Sequence, residues 1–308
     1  MIIKAFKRQG LGFFGQDIES WTKNWGRAEG MSEKFSQSAA SDHLSPFFKR
    51  YFPLPPKKIL DGGCGMGKHT IAYRNMGYDI TGVDFSGGMI RSIKNSLGEG
   101  FPVYEADVTA LPFEDGRFDC CYSGGVMEHF EEGPARPLKE ARRVLKKGGR
   151  LLATVPYVNL LRRLSFLVFS AKETGGVLQR KVDGCSAEPE VSETYRFHQY
   201  LFDAGSLAPY FKDNGFSIEG AHPMDLLWGE VGLALQKFIV KRRDDKSPSP
   251  NPDKDAAVKD LTKKRSLIKT LAYDFFVTEN RDNIFFALPL AALNFLSGHM
   301  ILFVARAI

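Results

Sequence analysis

The chain has 308 residues, 43% hydrophobic and 25% charged, with 30 glycines and 16 prolines. Those fractions describe a globular protein and exclude collagen-like, coiled-coil and wholly disordered chains. A formal net charge of +6 permits contact with anionic surfaces or substrates without demanding it.

The first residues, MIIKAFKRQGLGFFGQDIES, carry basic side chains but no sustained apolar run, so no signal peptide is expected. Phe14, Ile18, Trp21 and Trp25 recur at helical spacing and predict an apolar helix face. Residues 1–56 therefore read as a helical preface, or a lid over a ligand, closed by Pro53-Leu54-Pro55-Pro56. From Lys57 the pattern alternates. Strands are predicted at 58–61, 78–84, 102–107, 118–123 and 150–156, with helices at 68–76, from Ser86, and at 137–147 before Gly148-Gly149. Strands joined by helices imply a doubly wound, mostly parallel sheet in an α/β fold.

Beyond Pro156 the pattern loosens. Residues 157–194 read as an insertion on the acceptor side, with the basic and apolar run 160–167 inside it. Residues 195–240 read as the remainder of the core, with a helix at 202–214 and a strand at 216–221. The charged, proline-rich run 241–264 predicts a flexible linker, and 265–308 predicts C-terminal helices and a closing strand at 300–305. The apolar stretch 284–308 is broken by Pro289, Asn294 and Ser297-Gly298-His299, which favours helix, turn and buried strand over a membrane span. Contact with a membrane surface stays open. The four cysteines, Cys64, Cys120, Cys121 and Cys185, show no C-x-x-C pair and suggest a reduced, cytoplasmic setting, with or without peripheral membrane contact.

The informative segment is Ile59-Leu60-Asp61-Gly62-Gly63-Cys64-Gly65-Met66-Gly67-Lys68. A strand entering a glycine turn and then a helix places a ligand at the carboxyl end of the sheet. The dinucleotide spacing G-x-G-x-x-G from Gly63 fails at Lys68, and no G-K-[ST] follows for a P-loop. Asp61-x-Gly63-x-Gly65-x-Gly67 does fit, with Asp84 ending the next strand about 20 residues on. Asp107 ends the strand after that. Each aspartate alone could equally be a turn or helix cap.

This run resembles the class I S-adenosylmethionine-dependent methyltransferases, in the small-molecule branch of the ubiquinone and menaquinone enzymes. The resemblance continues in order through Asp84, Asp107-Val108-x-x-Leu111-Pro112-Phe113, Phe118-Asp119, Val126-Met127-Glu128-His129 and Glu140-x-x-Arg143-Val144-Leu145-Lys146-x-Gly148-Gly149. It implies a seven-stranded sheet with an antiparallel last strand, an S-adenosylmethionine-binding core at 57–156, and S-adenosylhomocysteine as product. Asp61, Gly62, Gly63 and Gly65 would line the methionine moiety and Asp84 the ribose. Phe85 would pack near the adenine, Asp107 and Val108 beside its amino group, and Ser123 and Gly124 at the methionine end, with Met89 a further cofactor-binding candidate.

Transfer from a sulfonium demands alignment more than a catalytic signature. His129 is the candidate base, with an orienting role as its alternative; Tyr157, Tyr195, His198, His222 and Trp228 are further candidates around the acceptor. After the fourth strand the chain reads Ser123-Gly124-Gly125-Val126, not the Asn/Asp-Pro-Pro-Tyr/Phe of amide and base-nitrogen methyltransferases. That disfavours nucleic acid and leaves a small or lipid- or sugar-linked metabolite as acceptor, with no metal. A fold retained for binding or assembly without turnover is the alternative, and a nicotinamide oxidoreductase is disfavoured by the glycine spacing. Oligomeric state is not legible.

Overall fold

A computed structural model describes residues 1–8, 42, 44–169, 171–174, 176–185, 194–224 and 298–308. The aromatic face at 14–25, Trp228, the expected linker 241–264 and the helices expected between 265 and 297 lie outside the described residues.

The alternating segment resolves into β2 (Lys58–Gly62), α2 (Lys68–Asn75), β3 (Asp79–Asp84), α3 (Gly87–Leu97), β4 (Val103–Glu105), β5 (Phe118–Gly124), α4 (Ala135–Val144) and β6 (Leu145–Pro156). They are preceded by β1 (Ile2–Arg8) and α1 (Ser45–Tyr51). The chain continues with α5 (Leu160–Val168), β7 (Ala171–Thr174), β8 (Val177–Val182), β9 (Tyr195–Phe202), α6 (Ala204–Asp213), β10 (Phe216–Met224) and β11 (Met300–Ala307).

The main sheet has seven strands in the order β10-β11-β6-β5-β2-β3-β4. Strands β2 to β6 pair in parallel, while β11 runs antiparallel between β6 and β10. This is the doubly wound α/β sheet with the expected reversed closing strand. Cys120 and Cys121 face opposite sides of β5, in separate apolar clusters, as strand alternation requires. On β11, Ile301 to Ala305 are all buried, which is why that run lacks polar alternation: both faces are covered.

Three expectations need correction. The first residues are a strand, β1, not part of a helical preface; α1 is the described helical portion of 1–56. Second, β1 pairs antiparallel with β8 and β9, and β7 adds to β8, in a separate four-stranded sheet. The expected insertion 157–194 therefore supplies two strands of this sheet, and 195–202 belongs with it instead of with the remainder of the core. Third, the helix expected to reach Lys147 ends at Val144, because Leu145 already pairs with Phe118 in the sheet. Gly148 then turns at φ 75° within β6.

The largest core cluster joins the two sheets. Ile2, Phe6, Phe197, Tyr200 and Phe202 of the small sheet pack with Leu151, Ala153, Val155 and Phe303 of the large one. Phe303 is fully buried and stacks on Phe211 with ring centroids 5.2 Å apart. Phe303→Ala removes that contact and leaves a cavity, and we expect a loss of about 3–5 kcal/mol. The urea midpoint, with the slope checked for two-state unfolding, measures it.

Candidate functional site

The glycine loop between β2 and α2 has a shape only glycine adopts readily. Gly63, Gly65 and Gly67 sit at φ 84°, 54° and 76°. Gly63 and Cys64 donate their N–H groups to the Val83 carbonyl at 2.9 and 2.8 Å, which binds the loop to the end of β3. At Gly63 a β-carbon would lie 2.3 Å from Cγ2 of Val126, so loop and β5 exit touch there. At Gly65 nothing lies within 4 Å of that position, leaving open space against the backbone.

Asp84, at the end of β3, holds this loop. Its Oδ2 accepts the Gly65 N–H at 2.8 Å and its Oδ1 accepts the Ser86 N–H at 2.9 Å. Burial lifts its carboxyl above the ordinary range, while the two backbone donors pull it back. Ser86 in turn caps α3 by accepting the Met89 N–H. The capping and ligand-facing readings of Asp84 are compatible, since a carboxylate has about four acceptor positions and two are engaged.

The other expected residues fall into place around this loop with different degrees of exposure. Asp61 is buried at the end of β2, and its Oδ2 accepts the Thr70 hydroxyl at 2.7 Å. Burial raises its carboxyl, against the nearby His69 and that hydroxyl. Gly62 approaches the Val108 side chain, with 3.8 Å from its β-carbon position to Cγ1. Asp107 lies beyond the short β4, exposed, with Oδ1 accepting the Thr109 N–H at 2.7 Å in a turn. Phe85 is 44% exposed beside the loop. Met89 is instead buried among Met66, Ile71, Ile93 and Val103, under α3 and out of the open space. Ser123 is buried at the end of β5, and Gly124 leaves room for the Tyr122 hydroxyl, 2.0 Å from where a β-carbon would stand.

A 3-10 turn, Met127–His129, follows β5. His129 Nδ1 lies 2.9 Å from the His198 carbonyl oxygen, so its ring is oriented by β9. The two histidine rings are 5.9 Å apart, and burial, with His129 next, pushes His198 down to about 4. Tyr200 donates its hydroxyl to the Glu131 carbonyl at 2.7 Å, a second tie between the small sheet and this turn. Tyr157 and Tyr195 are buried in the joint core, and His222 packs on Phe47 at 5.1 Å.

Glu128 is the residue the sequence left without a role. It is 2% exposed, and its Oε2 has no hydrogen-bond partner among the described residues. Burial pushes its carboxyl up to about 7, with His129 opposing. The sequence signal was present, an acid beside a histidine just past a strand end, but its burial was not legible.

A methyltransferase domain model matches residues 60–153, the stretch from β2 to β6 that carries all of these strand ends. Residues 60–153 are a methyltransferase domain. An uncharacterized 37.1 kDa protein in a transposon of Streptomyces fradiae is 37% identical over 124 residues, covering 38% of this chain and 35% of that protein. The malonyl-[acyl-carrier protein] O-methyltransferase of Erwinia pyrifoliae is 32% identical over 108 residues, covering 35% and 40%. The demethylmenaquinone methyltransferase of Renibacterium salmoninarum is 33% identical over 99 residues, covering 32% and 41%. The chain thus spans about two fifths of the length of these relatives, and the similarity is that of the methyltransferase domain.

The buried acid beside His129 makes a stability prediction for this domain. With a folded value of about 7 against 4.5, Glu128 keeps a proton in the folded state that the unfolded chain releases between those values. Stability therefore falls as pH rises through that window, by about 3 kcal/mol in total. Glu128→Gln removes the titration, so its unfolding free energy should exceed that of wild type at pH 8 and converge with it only below the unfolded value of 4.5. Denaturant titrations across that range read the difference.

Proposed function

We propose that the protein moves a methyl group from S-adenosylmethionine to a small or lipid- or sugar-linked metabolite. The observation that carries this reading is the Gly63–Gly65 loop, held by Asp84, with open space at Gly65 where a ligand can meet bare backbone. The relatives named for malonyl-[acyl-carrier protein] and demethylmenaquinone support a metabolite as acceptor over a nucleic acid.

The residues present fit the cofactor. Asp61, Gly62, Gly63 and Gly65 are proposed to line its methionine moiety, with Ser123 and Gly124 beyond them. The remaining acceptor positions of Asp84 suit two ribose hydroxyls, and the exposed Phe85 suits the adenine face. Asp107, with Val108 against Gly62, suits the adenine amino group. When bound, S-adenosylmethionine supplies a methyl group already activated on a sulfonium. The protein's own contribution is to fix the loop, orient His129 through the His198 carbonyl and exclude water, and positioning of this kind is worth up to ~7–11 kcal/mol. His129 is assigned an orienting role toward the acceptor, its own ring being oriented by the His198 carbonyl.

Two substitutions test this reading by calorimetry with S-adenosylmethionine and S-adenosylhomocysteine. Asp84→Ala removes the acceptor of two backbone donors, and we expect at least about tenfold weaker binding, as for other hydrogen bonds to a charged group. Gly63→Ala drives a methyl group into Val126 at an unfavourable φ, and binding should be lost. Adding Val126→Ala removes the collision but keeps the backbone strain, so recovery should be partial. Unchanged affinity in both single variants, with the fold intact by melting temperature, would refute the proposed site.

A further inference from the structure

Among the described residues ten large hydrophobic side chains are exposed, and five of them, Leu161, Leu164, Leu167, Val168 and Phe169, fall on or just after α5. On the helix they recur at three- and four-residue spacing and form one stripe. Phe166 points the opposite way and is buried with Ile3, Ala5, Val158 and Leu201, so it anchors α5 to one face of the small sheet. Arg162 donates to the Tyr157 carbonyl at 2.9 Å, and the exposed Arg163 lies 3.8 Å from Asp203.

The strand register shows what accompanies this stripe. Directly opposed residues of antiparallel strands share a face. Lys181 opposes Ile3, Lys7 opposes Val177, and Lys172 opposes Gln179, which itself opposes Ala5. The face that carries α5 therefore also carries three lysines. No Asp or Glu of β1, β7 or β8 shares it: Glu173 opposes Leu178 on the other side, where it meets Arg8 and the Tyr195 hydroxyl.

We propose that α5 lies in the interface of an anionic lipid bilayer, its leucine stripe in the acyl boundary and the neighbouring lysines against lipid phosphates. An apolar stripe bordered by cations on a short helix is the composition such interfacial helices use. At nine residues α5 is too short to span, and no helix of the described residues is long and apolar enough to cross a membrane. The placement bears on function. β6 runs parallel to β5 and ends at Pro156, four residues before α5, so docking sets the carboxyl edge of the main sheet against the headgroups. Resting on the functional reading above, this favours a lipid-linked acceptor.

The test is flotation of the full chain with phosphatidylcholine vesicles and with phosphatidylcholine vesicles containing phosphatidylglycerol. Binding should need the anionic lipid and weaken with salt. Leu164→Glu/Leu167→Glu should cut the vesicle-bound fraction at least about tenfold, and Lys172→Gln/Lys181→Gln by about fivefold per charge. All four positions are exposed or flank the stripe, so melting temperature and S-adenosylhomocysteine affinity should match wild type. Failure to float with either vesicle, or equal flotation of the leucine variant, overturns the proposal. So does a stable dimer that the leucine variant dissolves, because the stripe then belongs to a second copy of the chain. Cofactor calorimetry on the same preparations keeps this result separate from the methyltransferase reading, which can stand or fall alone.

Discussion

The carboxylate of Asp84 is the joint on which the candidate site depends. One oxygen holds the N–H of Gly65 and the other that of Ser86, so a single side chain fixes the β2–α2 loop to the β3–α3 turn. Without it, a loop with three glycines in left-handed conformation has little to select one shape, because glycine costs the most backbone entropy to order. The Val83 carbonyl adds two further bonds from the same strand end. The loop is therefore organised by β3, its spatial neighbour, more than by the strand and helix it connects. That arrangement leaves acceptor capacity on Asp84 while the backbone around Gly65 stays uncovered.

The second organising contact is between the small sheet and the turn after β5. The His198 carbonyl engages His129, and Tyr200 reaches the Glu131 carbonyl. Both come from β9, whose partner β1 lies at the start of the chain. Ile2, Phe6 and Tyr200 continue the packing into the main core. Residues far apart in sequence thus fix the geometry beside the loop, and substitutions in β1 act on the turn through β9. A bulge between Ala5 and Phe6 gives β9 an extra residue, His198, at the point where the carbonyl is needed.

The parallel sheet and its glycine loop were legible because their signals are local. Apolar runs, glycines at fixed spacing and acids at strand ends all lie within a few residues of each other. The small sheet was not. β1 begins Ile-Ile-Lys-Ala-Phe-Lys-Arg, with no strict alternation, and all its partners lie beyond residue 176. Pairing at that separation leaves no periodic trace in either segment. Glu128 was visible as a residue but not as a buried acid, since burial follows from how the turn after β5 packs in the fold. Met89 shows the same limit: its position on one face of a helix is the same for core packing and for ligand contact, and only the fold shows that it packs with Ile93 and Val103.

The spacing that excluded a dinucleotide fingerprint has a physical origin in these contacts. In that fingerprint the third glycine lets the helix approach the sheet closely. Here the crowded glycine is Gly67, one residue earlier: a β-carbon there would lie 3.1 Å from Cδ1 of Ile93 on α3 and 3.2 Å from Cδ1 of Ile71 on α2. Position 68 holds no glycine. It holds Lys68, whose ammonium pairs with the buried Asp42, and His69 Nε2 lies 3.3 Å from the same carboxylate. Asp42 also accepts the Leu44 N–H at the start of α1. The residue that breaks the dinucleotide pattern therefore fastens the segment before α1 to the first turn of α2. The position that departs from the fingerprint is thus the one that carries the clasp, because a lysine there reaches Asp42 where a glycine would reach nothing.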